Sequence, residues 1–326
     1  MYDLNADPSE SNNLIGSGTS ATQTAAALEA LAEEYRGQGV TTTTPTNTDI
    51  TNAVLTQRSA SCADYVNSYT STANDIGNNT TFNGSINIQV SGSGASGKCI
   101  ITANGIPKHD FNDGGQAVPN NVSSQSYQYE IPLVPSFAAS NTELSIGIDN
   151  GIMLNGAKVD LLAAACHGIG NEKTGCGNGN IWRFDPLHGA NGFRIDSHNA
   201  HSQSNGSYHY HADPKALFSD SAVESPLIGF ARDGFPIFGT WFNDNGTVRK
   251  ATSSYRLRSG TRPSDNGQPG GTYDGTFRDD YEYVAASGDL DECNGMTHNG
   301  AYGYYVTDAF PYILGCFKGT LDPSFQ

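Results

Sequence analysis

"NGSYHYHADP", residues 205–214, joins a turn dipeptide to a run of strict alternation. Asn205-Gly206 favours a hairpin turn. Beyond it Tyr208, His209, Tyr210 and His211 repeat with period two, the period of a β-strand, and Pro214 ends the run. Side chains at i and i+2 of a strand share a face, with Cα atoms about 6.5–7 Å apart. His209 and His211 therefore point one way, and the two tyrosines point the other way into packing. The turn folds the preceding "DSHNAH" (196–201) back beside the strand, which brings His201 or His198 alongside.

The same short alternating runs recur through most of the chain: "SINIQVSG", "KCIITANG", "SYQYEIPLVP", "PLIGFARDGFPIFG" and "YGYYVTDAFPYILGCF". With 38 glycines and many Asn, Ser, Thr and Asp between them, they predict short strands joined by turns rather than helix bundles. The expected fold is mainly β, a compact antiparallel β-sandwich or β-rich domain with long loops. "VDLLAAAC" (159–166) suits a short helix or a buried strand equally. Hydrophobic residues make up 37% of the 326, enough for a core and too many for wholesale disorder.

Net charge is −16, from 17 basic and 33 acidic residues. That balance disfavours nucleic acid and anionic membrane surfaces, both of which need Lys and Arg against phosphate. No apolar run approaches the roughly 20 residues of a membrane-spanning helix, so membrane insertion is not expected. Cys62, Cys99, Cys166, Cys176, Cys293 and Cys316 contain no C-x-x-C pair. An even count among polar loops suits disulfides, with 62–99, 166–176 and 293–316 as the nearest-neighbour pairing among 15 arrangements. The expected location is secreted or periplasmic. "MYDLNADPSESNNLIG" lacks the basic start and apolar core of a signal peptide, so the signal is expected to have been removed or the chain to be the tail of something longer.

Residues 1–37 differ from the rest. In "TSATQTAAALEALAEEYRG", Ala25, Leu28, Leu31 and Tyr35 recur at helical spacing and Gly37 closes the run, predicting a short amphipathic helix. With the preceding "YDLNADPSESNNL", the segment resembles the carboxy-terminal tail of sulfatases. The sulfatase active-site signature is absent, so the resemblance implies a sulfatase-fusion origin and no sulfatase chemistry. "QGVTTTTPTNT" (38–48) reads as a linker, and 49–326 as the main domain.

Seven blocks follow in order: "NGIPKHDF" (104–111), "GIDNGIMLNGAKVD" (147–160), "RIDSHNAHSQSNGSYHYHADP" (194–214), "SPLIGFARDGFPIFG" (225–239), "SSYRLRSGTRPSDNGQPGGTYDGTFRDDYEY" (253–283), "GDLDECNG" (288–295) and "FPYILGCFKG" (310–319). Together they resemble the YHYH domain family over about residues 97–320. The resemblance implies secreted proteins with clustered histidines and suspected metal binding, most often copper. It favours His201 over His198, because the family pattern has a histidine there, and adds His109, which ends a family block.

The expected site is thus His201, His209 and His211 with His109. An imidazole-rich donor set suits Cu(II) first and Zn(II) second, whereas calcium and magnesium want oxygen. Asp291 and Glu292, beside Cys293, are expected to orient a ligating imidazole. His167 and His188 read as ordinary surface residues, and His298 ranks below the four. Asp196 and Asp233 are further acidic candidates, with Asp233-Gly234 reading as a turn. Whether the site is catalytic stays open at this level. A second reading is an accessory module of a sulfatase fusion that binds sulfated or acidic glycans through its aromatic strands, Arg258 and Arg262; a third is a metal-dependent enzyme acting on polysaccharide. G-x-S-x-G, H-E-x-x-H and P-loop signatures are absent, and "GSGASGK" (92–98) lacks P-loop spacing.

Overall fold

Alternation does build the strands, as "SINIQVSG" and "KCIITA" show: each buries one face and exposes the other. The computed structural model describes residues 47–115, 118 and 120–326, and these described residues are 35% strand and 5% helical, with no helix of seven residues or more among them. The fold class is therefore mainly β, as expected. The expected amphipathic helix, the sulfatase-like segment and most of the linker lie outside the described residues. Asn47 and Thr48, read as linker, instead begin the first strand.

Five strands form one sheet in chain order: β1 (Asn47–Asp49), β2 (Asn67–Asp75), β3 (Thr80–Ser91), β4 (Lys98–Ala103) and β5 (Tyr127–Pro132). β6 (Phe137–Glu143) pairs with the last strand, β19 (Cys316–Gly319). A larger sheet of eight strands is assembled from β7 (Gly151–Met153), β8 (Lys158–Val159), β9 (Ala200–Ser202), β10 (Tyr208–Tyr210), β11 (Leu227–Ala231), β12 (Pro236–Phe238), β17 (Gly295–His298) and β18 (Ala301–Tyr305). Its order is β17-β18-β12-β11-β7-β8-β10-β9. Two ribbons stand beside it: β13 (Trp241–Asp244) with β14 (Thr247–Lys250), and β15 (Tyr255–Leu257) with β16 (Tyr281–Tyr283).

The expectation of antiparallel sheets is corrected in three places. β1–β2, β8–β10 and β12–β18 pair in parallel, so both sheets are mixed. Parallel neighbours need long connections. Here the 48 residues between β8 and β10 supply one, and most of that segment is loop. "VDLLAAAC" is neither of its two expected elements: only Val159 is in a strand, and Cys166 makes an isolated bridge to Arg183.

The five-stranded sheet packs on the larger one. Ile86, Ile88, Ile101, Tyr129 and Ile131 from the first meet Ile152, Leu227, Phe230 and Tyr305 from the second in one buried cluster. A second cluster takes the alternate residues of the same strands, Met153, Ile228, Ile237 and Tyr304, together with Val159, Ala200, Tyr208 and Tyr210. The cysteines pair as 62–99, 166–176 and 293–316. The first spans β2 and β3, the third spans β17 and β18, and the second closes a short loop without a strand of its own; each restricts the unfolded chain, the longer loops more.

Candidate metal centre

β9 and β10 place the histidines. Asp196 fixes the approach to β9: its Oδ1 accepts from the backbone N–H of His198 at 3.0 Å and Ala200 at 3.1 Å. Its Oδ2 accepts from Tyr208 Oη at 2.7 Å and from the N–H of Asn112 at 3.2 Å. This acidic candidate therefore organises the loop that carries His201. The chain then turns through Gln203–Ser207, closed by N–H of Gln203 to the carbonyl of Ser207 and of Gly206 to the carbonyl of Gln203, both 2.9 Å. Gly206 has φ of 82°, and a Cβ there would lie 2.9 Å from the backbone nitrogen of Ser123. Only glycine suits that corner. The turn is the one expected from Asn205-Gly206, although its loop is longer than two residues.

Cross-strand register then puts His201 directly opposite His209. Directly opposed residues share a face. His211, two residues beyond His209, returns to that face. The outcome is a trio: His209 Nε2 lies 3.0 Å from His211 Nε2, which lies 3.1 Å from His201 Nε2. One ring nitrogen of each falls within 4.8 Å of the others. His209 and His211 are buried, and His201 is half-buried at the mouth.

The outer nitrogens decide what the inner ones present. His201 Nδ1 is 2.9 Å from the carbonyl of Arg194, and His209 Nδ1 is 3.3 Å from that of Ser207. A carbonyl can only accept, so each Nδ1 carries the proton and each Nε2 carries a lone pair. His211 sits between two such lone pairs, and no hydrogen bond of ordinary geometry reaches its buried Nδ1. If His211 donates from Nε2, at most one of its two close contacts is a linear hydrogen bond and the other remains lone pair against lone pair. A cation at the centre removes that conflict. The backbone carbonyls on Nδ1 are the pattern by which ligating imidazoles are oriented.

Burial pushes all three pKa values below the ordinary histidine range, furthest for His209 and His211. Each imidazolium would also repel its neighbours, and Lys158 opposes charge on His209 while Arg278 opposes it on His211. The trio is thus held neutral, the protonation state a metal ion needs. Three neutral nitrogens converging from one side, with His201 towards solvent, can hold one ion and leave a coordination position for water or another ligand.

His109 is not the fourth member. It lies on the other face of β10, where Tyr210 Oη is 2.6 Å from its Nε2 and its Nδ1 is 2.7 Å from the carbonyl of Asp110. Its ring packs on His198 with centroids 4.0 Å apart. Both its nitrogens are already engaged, so this part of the expectation is corrected. The reason is geometric: His109 enters the structure beneath the tyrosines of Y-H-Y-H, which alternate away from the histidines.

Asp291 and Glu292 also stand elsewhere. Asp291 accepts from the N–H groups of Cys293 and Gly295, at 2.9 and 3.0 Å, and from Tyr302 Oη at 3.1 Å. Glu292 pairs with Lys318 at 2.6 Å. Both organise the turn at the Cys293–Cys316 disulfide and touch no histidine of the trio. Asp233 is buried and accepts from Tyr304 Oη at 2.5 Å and the N–H of Gly319 at 2.9 Å, a structural role beside its turn. His167 pairs with Glu172, and His298 contacts Asn299 and Phe242.

Sequence reasoning missed the charged network next to the trio. β8 runs parallel to β10 with Lys158 in register with His209. Lys158 Nζ contacts Asp149 Oδ1 at 2.6 Å, and Asp149 Oδ2 accepts from Tyr129 Oη at 2.6 Å. Gln203 Nε2 donates to Asp160 Oδ2 at 2.7 Å; burial pushes the Asp160 carboxyl up to about 6. "GAKVD" carries two of these residues, but alternation alone does not reveal that a two-residue strand pairs with β10.

The family model described as YHYH protein matches residues 128–319, more than half of the chain. The chain belongs to that family. No curated protein and no solved structure matches it. The matched span contains the whole YHYH trio, His201 included, whereas the block ending in His109 precedes it.

Proposed function

We propose that this YHYH protein is an extracellular metal-binding protein whose His201, His209 and His211 take one copper ion through Nε2, with zinc the second choice. The observation that carries the reading is the Nε2 convergence at 3.0 and 3.1 Å with Nδ1 hydrogens committed to backbone carbonyls. Zinc–imidazole bonds of about 2.0–2.1 Å at tetrahedral angles set neighbouring ligand nitrogens about 3.3 Å apart, so the trio needs only a slight opening to accept an ion of this size. The all-imidazole donor set and the divalent affinity order favour copper over zinc where both are present. Three disulfides fit an oxidising compartment, and among the described residues no helix is long and apolar enough to cross a membrane.

Protein purified without chelator, then offered Cu(II) and Zn(II) separately, should hold close to one ion per chain by elemental analysis, with copper displacing zinc. Copper should show nitrogen hyperfine structure from imidazole in electron paramagnetic resonance. A protein that takes up neither ion overturns the reading.

A further inference from the structure

A cleft of about 1010 Å³ lies beside the β15–β16 ribbon and serves no part of the metal centre as described. Its floor and walls are built by strand alternation. Tyr281 and Tyr283 share one face of β16, and Tyr255 on β15 is directly opposite Tyr283. Tyr255 and Tyr283 rings lie 5.8 Å apart, and Tyr283 is 37% exposed, so the ribbon presents an accessible tyrosine platform. Tyr281 stacks in parallel on Phe310 at 4.3 Å, and the Arg278 guanidinium lies over the same ring at 4.7 Å. Phe310 is thereby held between the two.

Three arginines line this cleft, and they differ in what they already bind. Arg183 donates to the carbonyls of Ala163 and Gly177. Arg258 donates to the carbonyl of Asp279 at 3.2 Å and lies 3.7 Å from Glu282. Among the described residues the Arg278 guanidinium makes no hydrogen bond and no ion pair, although it is half-buried. The carboxylates whose field it feels are engaged by others: Asp185 accepts from Tyr312 Oη at 2.9 Å, and Asp279 from the N–H of Arg183 at 3.0 Å. A partly desolvated guanidinium without a counter-ion is well suited to an incoming carboxylate, which it can grip with two parallel hydrogen bonds.

The rest of the lining narrows the ligand. Glu143, Asp279 and Glu282 offset the arginines, and the chain's net charge is −16, so a densely sulfated polyanion is disfavoured. Asn178, Asn180 and Ser145 offer groups that an apolar acid would leave unpaired. A saccharide satisfies both conditions, since its hydroxyls pair with amides and carboxylates while a pyranose ring face packs on tyrosine. We propose that this cleft binds an oligosaccharide carrying isolated carboxylates, a uronate, with its carboxylate on Arg278 and a sugar ring on Tyr283. The proposal does not depend on the ion at the trio, but it deepens the site: Leu162 lines the cleft one residue beyond Leu161, whose backbone lies against the His211 ring.

The test is calorimetric titration of the full chain with a galacturonate trisaccharide, its methyl ester and a hyaluronan tetrasaccharide, with metal content measured on every sample. At least one uronate should bind, and esterification should weaken binding tenfold or more. Arg278→Gln should lose at least tenfold for the acid and little for the ester, with metal content unchanged. Tyr283→Ala, on the exposed platform, should weaken acid and ester alike. Absence of uronate binding, equal binding of acid and ester, or indifference to both substitutions overturns the proposal. Loss of metal uptake with uronate binding intact would overturn the metal reading alone.

Discussion

The two faces of β10 carry two groups of histidines a few ångströms apart, and their hydrogen bonding separates them. On one face His109 is saturated: Nδ1–H donates to the carbonyl of Asp110, and Nε2 accepts from Tyr210 Oη, which itself accepts from Asn155 Nδ2 at 2.8 Å. On the other face His201, His209 and His211 satisfy their outer nitrogens at best and aim the inner ones at each other. His109, His209 and His211 are similarly buried and burial holds all three neutral, so neither burial nor charge distinguishes them. What differs is whether the inner nitrogen has a proton donor. A satisfied histidine is structural, and a set of unsatisfied lone pairs could hold a cation.

The largest expected effect comes from breaking the unsatisfied face. His209→Ala or His211→Ala removes one of the three nitrogens grouped at the site among the described residues, and metal affinity should fall by at least about 100-fold, beyond the 10–100-fold typical of losing only an outer-shell partner. Competition with a chromophoric chelator measures this. Affinity within tenfold of the parent protein would mean that the trio does not hold the ion.

The same substitution on the satisfied face should do the reverse. His109→Ala should leave metal stoichiometry and affinity unchanged, while costing about 2–4 kcal/mol of stability, because a buried ring is lost and Tyr210 Oη is left without its acceptor. Urea unfolding and the chelator competition, run on one preparation, separate the two outcomes. If metal affinity fell with stability unchanged, the assignment of faces would be reversed.

A smaller effect distinguishes the faces by pH. Burial, with the neighbouring His198, lowers His109 to about 3 from an ordinary value near 6.5. Between those values the unfolded chain binds a proton that the folded chain refuses, so stability rises with pH across the window and is lost as the pH falls. Each such histidine adds up to about 1.4 kcal/mol per pH unit. His109→Gln should flatten the acid limb of stability by roughly one proton, whether or not metal is bound. In the parent protein, added metal should instead steepen the limb and extend it to lower pH, because an ion at the trio keeps off the folded chain protons that the unfolded chain still binds, until it is released. An acid limb unchanged by His109→Gln would contradict its neutral, buried state.

Much of this contrast was legible in the sequence. Period two put His209 and His211 on one face, and Asn205-Gly206 brought His201 or His198 alongside, because a turn and an alternation are local properties; the choice of His201 came from the family resemblance. His109 was not legible, since its block is about a hundred residues away and nothing local states which face of β10 it meets. Arg262 and Arg278 show the same limit. By sequence Arg258 and Arg262 stand out as glycan-binding cations, yet Asp280 and Asp274 claim Arg262 in the fold, while among the described residues Arg278 has no ion pair. The acidic residues near Cys293 misled in turn, because a carboxylate beside a tight turn is claimed first by the backbone N–H groups of that turn. The mixed pairing of the large sheet was hidden as well, because β7, β8 and β10 are two or three residues long and too short to carry a pattern.

Tyr210→Phe probes the boundary between the two faces with the smallest change. The hydroxyl donates to His109 and accepts from Asn155, so its removal strands one buried acceptor and one buried donor while conserving shape. The expected cost is about 1–3 kcal/mol in urea unfolding. Metal affinity should move by less than about threefold, because the tyrosine side chain leaves β10 on the face away from the trio. The backbone of residue 210 nevertheless lies between His209 and His211, and its carbonyl accepts from the N–H of Asp160 at 3.1 Å. A large loss of affinity in Tyr210→Phe would therefore mean that the strand transmits strain from the packed face to the open one. The two groups of histidines would then be one coupled unit, and the tyrosines of Y-H-Y-H would position the ligands as well as fill the core.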